Sequence, residues 1–473
     1  MSSSYSSISI AVFGLTLAAT FLMAWLGRRH GGSDHGGLAE QKLNRWLIGL
    51  SAGAAANSGF IVTGAVGLGY AYGMQWVLLP LSWLVGDIVF WTLFPQRLND
   101  FGRRSRATTL PELLTHGLQG RGATILVLIC GLLILLCLSG YVSAQWLAGQ
   151  KFIAGAFPVS GLGALALFAV LIIAYTGIGG FRGSVYVDSL QAVIRIIGTA
   201  LALLSVFWVA REDGAIVQQN LAAAGPGFLS LLPAGGWPAT AGFLLGFGAA
   251  ALGFGLGQPH IVSRYLAGAS PAETRSAWWI YMGFVQFTWI SMTVFGVMLR
   301  GVMPDLQDPE AGLSLFFSQR MNAVATGIIV ADVFATIAAT SNALLVAMAQ
   351  TLSHDLLPRS MPGRRFSIAW GCVLMGALTM GLSLLLHGSV MQVALGSVAM
   401  MAAGIAPAVM AKALGWRHDA RSLILSVLAG LTAAGLWKLA GLDPLVNQAA
   451  AGIAAGVLAL RLAAPSDAAR NVF

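Results

Sequence analysis

Three oxygen-bearing side chains recur every four residues in an otherwise apolar run: Asp332, Thr336 and Thr340. On a helix this spacing gathers them within an arc of roughly 80°. A carboxylate with two hydroxyls suits a hard cation, which wants several oxygen ligands, and the carboxyl alone can carry a proton. An ionised Asp at the middle of a membrane helix costs about 2.5–3.5 kcal/mol on insertion scales, which makes function the first reading. An interfacial Asp near the helix end, or one satisfied by neighbouring backbone, is the other. A second group, Asp188, Gln191 and Arg195, covers two turns of one helix face. It reads as a gate or ion exit path, or as a structural Asp–Arg network close enough to the interface to reach water. Asp87, within LVGDIVF, is placed to contact a solute or ion, to support a neighbouring segment, or to titrate. His260 is a proton shuttle or a hydrogen-bonded structural histidine.

The elements that must hold these groups are membrane spans. Of the 473 residues 57% are hydrophobic and 9% charged, against about a quarter charged in a soluble globular protein. The expected fold is an all-α polytopic membrane protein. With roughly 20 apolar residues per span, thirteen spans are expected, at 8–27, 45–72, 75–94, 123–147, 160–178, 185–209, 237–260, 276–299, 323–352, 366–387, 389–411, 421–440 and 445–462. The first has no positive flank before it and Arg28 and Arg29 after it, so it reads as a retained span with the N-terminus outside. Of the 26 Lys and Arg, twenty then fall on the inner side, among them Arg264, Arg359, Arg364, Arg365 and Arg470; five fall outside and Arg195 lies within a span. That bias supports an odd number of spans with the C-terminus in the cytoplasm. The net charge of +9 therefore needs no nucleic acid to explain it. Cys130, Cys137 and Cys372 sit in apolar runs without metal spacing and are expected as small core residues. There is no HExxH, P-loop, GxSxG or CxxC, so no enzyme is expected and no cofactor is called for.

Two spans depart from a plain anchor. Ser51–Tyr72 carries Gly53, Gly59, Gly64, Gly67 and Gly69 among Asn57, Ser58 and Thr63, and 237–260 carries Gly242, Gly246, Gly248, Gly253, Gly255 and Gly257 before Pro259. Glycine costs about 1 kcal/mol per helix position relative to alanine, and unwound backbone at membrane depth survives only where it lines a cavity or is buried in protein. A helix packed through small residues is the plainer account of either span alone. Interrupted spans in corresponding positions of two halves point to inverted repeats around a central site. Spans two and seven are five apart, so spans 2–6 pair with 7–11, and helices 2 and 7 are expected to be discontinuous. The chain then divides into 1–44, an extra helix and cytoplasmic loop; 45–209 and 210–411, the two repeats; and 412–473, two peripheral helices and a short tail. Between the breaks, Ser58, Gly59 and Phe60 on span two and Ala251, Gly255 and Gln258 on span seven are candidates for solute contact, with Asp87 beside them.

Four stretches carry a resemblance to the sodium/solute symporter family. SAGAAANSG at 51–59 resembles its SAGASxxSG, and YTGIGGFRGSVYVDSLQ at 175–191 resembles its Y-T-x-x-G-G-F with Asp and Gln downstream. GQPHIVSRYLA at 257–267 resembles GQPH-x-x-x-R-F-x-A, and ATSNALLVAMAQTLSHDL, ending at Leu356, resembles its helix with S-T-x-x-S. The resemblance implies a five-plus-five inverted-repeat transporter with a Na⁺ ion between spans two and nine. It places ligand carbonyls at Ala54, Asn57 and Thr336 and hydroxyl positions at Ala339 and Thr340, and associates Asp188 with ion passage toward the cytoplasm. Span two enters from inside, which sets Ala54 and Asn57 about 12–18 Å deep. Ala339 stands where the family usually has Ser, and Ala56 where many members have Asp, which leaves the site short of oxygen. Ala251–Gly255, ALGFG, replaces the W-G-L-G-Y of the proline carriers and argues against a proline pocket.

The expected function is a secondary active transporter moving a small organic solute by alternating access, with Na⁺ as coupling ion by resemblance. The alternatives are H⁺ coupling or cation-independent transport using Asp332 or Asp87, and a non-transporting solute sensor on a transporter fold. The expected location is a bacterial inner (cytoplasmic) membrane. The expected partners are the solute and membrane lipids, with the oligomeric state open.

Overall fold

The computed structural model describes residues 7–29, 38–156, 159, 161–233, 235–357, 368–385 and 390–465. Arg359, Arg364, Arg365 and Arg470 lie outside the described residues, as do both chain ends and residues 366–367 and 386–389 of the tenth and eleventh expected spans. Among the described residues the regular elements are helices, and one isolated bridge pairs Leu43 with Gly268. In chain order they are α1 (Ser7–Arg29), α2 (Arg45–Ala56), α3 (Gly59–Val62), α4 (Gly64–Tyr72), α5 (Leu78–Leu93), α6 (Pro95–Ser105), α7 (Leu110–Thr115), α8 (Gly120–Ala156), α9 (Gly161–Glu212) and α10 (Gly214–Ala223). There follow α11 (Gly236–Gly257), α12 (Pro259–Leu266), α13 (Pro271–Ser276), α14 (Trp278–Val302), α15 (Gly312–Arg320), α16 (Ala323–Gln350), α17 (Ile368–Ser383), α18 (Val390–Ala413), α19 (Ala420–Leu439) and α20 (Gln448–Ala463). Nine of the described helices are long and apolar enough to cross a membrane, ten when the bent pair α2 and α3–α4 is one span; α17 and α20 are shorter apolar helices.

The second span is broken at Asn57–Ser58, and its two parts meet at 62°. The backbone accounting shows how the break is held. In a continuous helix Ser58 N–H would donate to Ala54 and Gly59 N–H to Ala55. Here Ser58 N–H turns to the Ala56 carbonyl at 3.0 Å, and Gly59 N–H donates to Gln145 Oε1 of α8 at 2.9 Å. The Thr340 hydroxyl of α16 donates to the Ala55 carbonyl at 3.0 Å. Phe60 N–H donates to Ser58 Oγ at 3.2 Å, which caps the outer piece. Side chains of two other helices thus replace bonds that the chain gives up.

The seventh span is broken at Gln258 and continues beyond its expected limit. α11 runs unbroken to Gly257, Gln258 is extended (φ −89°, ψ 109°), and α12 continues to Leu266. The span therefore does not end at 260. His260 and Arg264 are on a buried helix rather than at or beyond the inner end, so Arg264 leaves the set of inner-loop charges. Pro259 opens α12 at the position where its missing N–H costs nothing. Asn99 of α6 closes the other end, its Nδ2 donating to the Tyr265, Leu266 and Gly268 carbonyls at 2.8, 3.3 and 3.1 Å. Arg97, Arg103, Arg104 and Arg106 remain exposed around α6.

Spans five and six, expected with a six-residue link, form one assigned helix of 52 residues broken only at Gly180 (φ 57°, ψ −158°). α5 and α11 approach closely: a Cβ on Gly86 would collide with the Gly248 carbonyl oxygen. This contact of small residues brings the helix of Asp87 against the first part of the seventh span.

Two outcomes test this architecture. Gly180 occupies a region open in practice only to glycine, and open space surrounds its missing Cβ, so Gly180→Ala is expected to lower thermal stability by backbone strain alone, on the order of 1–3 kcal/mol. Gln145→Leu strands the Gly59 N–H and is expected to cost about 1–3 kcal/mol, read as a lower melting temperature in detergent. An unchanged melting point for Gln145→Leu would mean that the bond does not hold the break.

Candidate functional site

The break in the second span and the α16 helix enclose a narrow cavity. Ala54, Asn57, Thr336 and Ala339, four of the five positions given to a cation by resemblance, line it with Phe284 of α14 and with Gln191 and Arg195 of α9. Thr340, the fifth, spends its hydroxyl on the Ala55 carbonyl. The Thr336 hydroxyl reaches Asp332 Oδ1 at 3.3 Å. Asn57 donates through Nδ2 to the Thr288 hydroxyl at 2.6 Å, and its Oδ1 has no protein partner. Among the residues lining the cavity, Asn57 Oδ1 and Gln191 Oε1 are buried side-chain oxygens without a partner among the described residues.

The buried charges pair differently from their spacing in the sequence. Arg195 does not join Asp188. Its Nη1 donates to Asp332 Oδ2 at 2.6 Å, and both side chains are fully buried. Asp332 fits there because a Cβ on Gly198, one turn beyond Arg195, would collide with its carboxyl group. Asp332 is therefore held by an arginine rather than by neighbouring backbone or the interface.

Asp188 instead receives Arg264 Nη2 at 2.9 Å and the Ser51 hydroxyl at 2.8 Å on Oδ2, and Asn342 Nδ2 at 3.3 Å on Oδ1. Arg264 Nη2 also reaches Ser184, and its Nη1 donates to the His260 carbonyl at 2.6 Å. This knot joins α2, α9, α12 and α16. The expected pairing followed helical periodicity within one span. It missed Arg264 because the continuation of span seven as α12 was not seen. His260 makes no side-chain hydrogen bond: its ring lies edge-on to Tyr141 and Phe254, with centroids 6.2 and 5.8 Å away, and neither nitrogen has a partner.

On the other side of the break is a partly open cleft. Asn57, Ser58 and Phe60 line it from the second span, Trp83 from α5, Tyr141 from α8, Phe254 from α11, and Val285 and Trp289 from α14. Trp83 stands 5.4 Å from Trp289 and 5.5 Å from Phe254, and Phe60 stands 5.6 Å from Trp289, each between ring centroids. The Trp289 indole N–H and Asn57 Oδ1 have no partner among the described residues, so two residues of this wall carry an unused donor and an unused acceptor. Of the candidate solute residues, Ser58 and Phe60 are in the wall. Gly59 faces Gln145, Ala148 and Ile337 instead. Ala251 packs near Gly86, Gly255 abuts Phe90, and Gln258 is buried without lining the cleft. Asp87 is 1% exposed, one turn from Trp83, and does not line the cleft; its Oδ2 has no partner. Apart from Phe60, the aromatic wall was missed in the sequence because its other rings come singly from four separate helices. Trp83 at four residues before Asp87 was the one local signal.

The sodium:solute symporter family model matches residues 37–414. A sodium/proline symporter of Haemophilus influenzae is 28% identical over 332 residues, covering 67% of this chain and 64% of that protein. A sodium/pantothenate symporter of Escherichia coli is 27% identical, with 65% and 62% covered, so the chain spans just under two thirds of the length of these two relatives. The high-affinity proline transporter PutP of Bacillus subtilis is 24% identical over 92% of this chain and 94% of its own length. Among solved structures, a substrate-bound, outward-open Na⁺-coupled sialic acid symporter superposes with a TM-score of 0.78 at 18% identity, over 97% of this chain and 99% of that one. The nucleobase-cation-symport transporter Mhp1 superposes at 0.55 with 12% identity, over 90% and 94%. These likenesses show the fold. With the family model spanning the two broken spans and every buried ion pair, the chain belongs to the sodium:solute symporter family of integral membrane transporters.

Proposed function

We propose that the protein is a secondary active transporter that carries a small organic solute by alternating access. The observation that carries this reading is the aromatic cleft lying directly against the break of the second span. Half-helices there turn backbone groups and helix ends toward a bound solute, and a largely apolar wall with a few polar groups is the usual composition of a small-molecule site. A solute with an apolar or aromatic face and one or two hydrogen-bonding groups suits it. The sodium/proline and sodium/pantothenate relatives support small solutes as a class and Na⁺ as the coupling ion.

The finer architecture belongs to the same reading. Division of α9 at Gly180 and inclusion of α17 and α20 bring the spans to thirteen, with 45–209 and 210–411 as inverted repeats. The positive-inside bias favours an outer N-terminus and a cytoplasmic C-terminus in a bacterial cytoplasmic membrane.

A second reading, H⁺ coupling, is favoured by Asp87, a fully buried carboxylate without an ion-pair partner among the described residues, whereas Asp332 and Asp188 are held by arginines. A thermal-shift screen of amino acids and organic acids supplies the solute, and uptake into proteoliposomes separates the readings. Na⁺ coupling predicts uptake that choline substitution abolishes. H⁺ coupling predicts uptake that ignores Na⁺, collapses with a protonophore and is lost in Asp87→Asn. Binding with neither uptake nor counterflow would leave a sensor and end the transporter reading. Trp289→Ala is expected to weaken solute binding roughly ten- to a hundredfold, the equivalent of about 1.5–3 kcal/mol of aromatic burial. Trp237→Ala, at a residue 73% exposed, is the control expected to change nothing.

A further inference from the structure

The cavity between α2 and α16 combines features that a metal-ion site does not need and lacks one that it does. Its wall contains a guanidinium. Arg195 is 1% exposed and lines the cavity with Ala54, Asn57, Thr336 and Ala339. It is anchored through Nη1 to Asp332, while Nε and Nη2 have no protein partner. Free acceptors stand on the same wall or beside it: Asn57 Oδ1 and Gln191 Oε1 are both buried and unpartnered. The side-chain oxygens are thin, because Ala339 brings no hydroxyl and Thr340 is engaged at Ala55.

We propose that Arg195 neutralises Asp332 beside this cavity, so that the position between α2 and α16 takes no Na⁺. The argument is electrostatic. An unpaired carboxylate 4 Å from a cation, at an effective dielectric constant of about 20, attracts it by an amount worth roughly a thousandfold in affinity. Arg195 removes that attraction, because its Nη1 is paired with Asp332 Oδ2 at 2.6 Å and the two form a neutral couple. A guanidinium stays charged at any physiological pH, so the charge is permanent where a bound ion would come and go. A guanidinium already paired with the carboxylate beside the cavity stands in for the ion that the family resemblance places there. This deepens the transporter reading and rests on it for the identity of the site. If the transport cycle uses Na⁺, that ion acts elsewhere in the protein.

The test is equilibrium binding of ²²Na⁺ to the purified full-length protein, which needs no solute and no transport. A failure of uptake in vesicles would sink the transporter reading and leave this result standing. Wild type is expected to show no saturable Na⁺ binding that Thr340→Val removes. Arg195→Gln, which keeps a hydrogen-bonding group for Asp332 and frees the carboxylate's charge, is expected to gain Na⁺ affinity at least tenfold, with Thr340→Val on that background reversing the gain. If Arg195→Gln does not fold, Arg195→Ala with Ala339→Ser, which restores a hydroxyl, is read in the same way. Wild-type Na⁺ binding abolished by Thr340→Val would overturn the proposal. So would a folded Arg195 variant that gains no Na⁺ affinity.

Discussion

A backbone that stops being helical at membrane depth has to find its hydrogen-bond partners within the protein, because hydrocarbon offers none. The break at Asn57–Ser58 imposes that condition, and much of the interior is arranged around it. Gln145 meets the stranded Gly59 N–H, Thr340 meets the stranded Ala55 carbonyl, and Ser58 caps its own outer helix. These partners come from α8 and α16, so both helices must pack against the second span at one depth. The same break creates the two concave features on either side of it, the narrow cavity toward α9 and the aromatic cleft toward α14.

Charge is handled with similar economy. Burying an ion pair is seldom a net gain in stability, since desolvation offsets the attraction. The presence of two such pairs therefore invites a functional account. Arg264–Asp188 ties the continuation of the seventh span to the second, sixth and ninth, and includes Ser51, six residues before the break. Arg195–Asp332 sits at the position where relatives are expected to take an ion. Asp87 stands apart as a carboxylate in tight helix packing with no cationic partner among the described residues. The three acids that looked alike in the sequence thus have three different situations, and only the tertiary arrangement separates them.

The all-helical membrane fold was legible in the sequence, because hydrophobic length and glycine clustering are local or additive signals. The first break was legible from Gly53 to Gly69. The second was legible as an interruption, but the span was expected to end at 260, where Pro259 instead opens α12. Periodicity brought Asp332, Thr336 and Thr340 together correctly on one face, and the Thr336–Asp332 contact follows from it. The same periodicity misled at Asp188 and Arg195, where each group finds its charge partner on another helix. The aromatic cleft left almost no trace in the chain, because no rule of spacing links Trp83, Tyr141, Phe254 and Trp289.

The pairing of the buried charges has a consequence for how the membrane's electric field acts on the molecule. Moving one elementary charge through 100 mV is worth about 2.3 kcal/mol. Arg195 with Asp332, and Arg264 with Asp188, each travel as neutral couples. A rocking motion that carries both partners together displaces no net charge, and the potential does little work on it. A voltage-sensitive step in such a molecule therefore has to come from a species that enters or leaves, or from separation of one of these couples during the cycle.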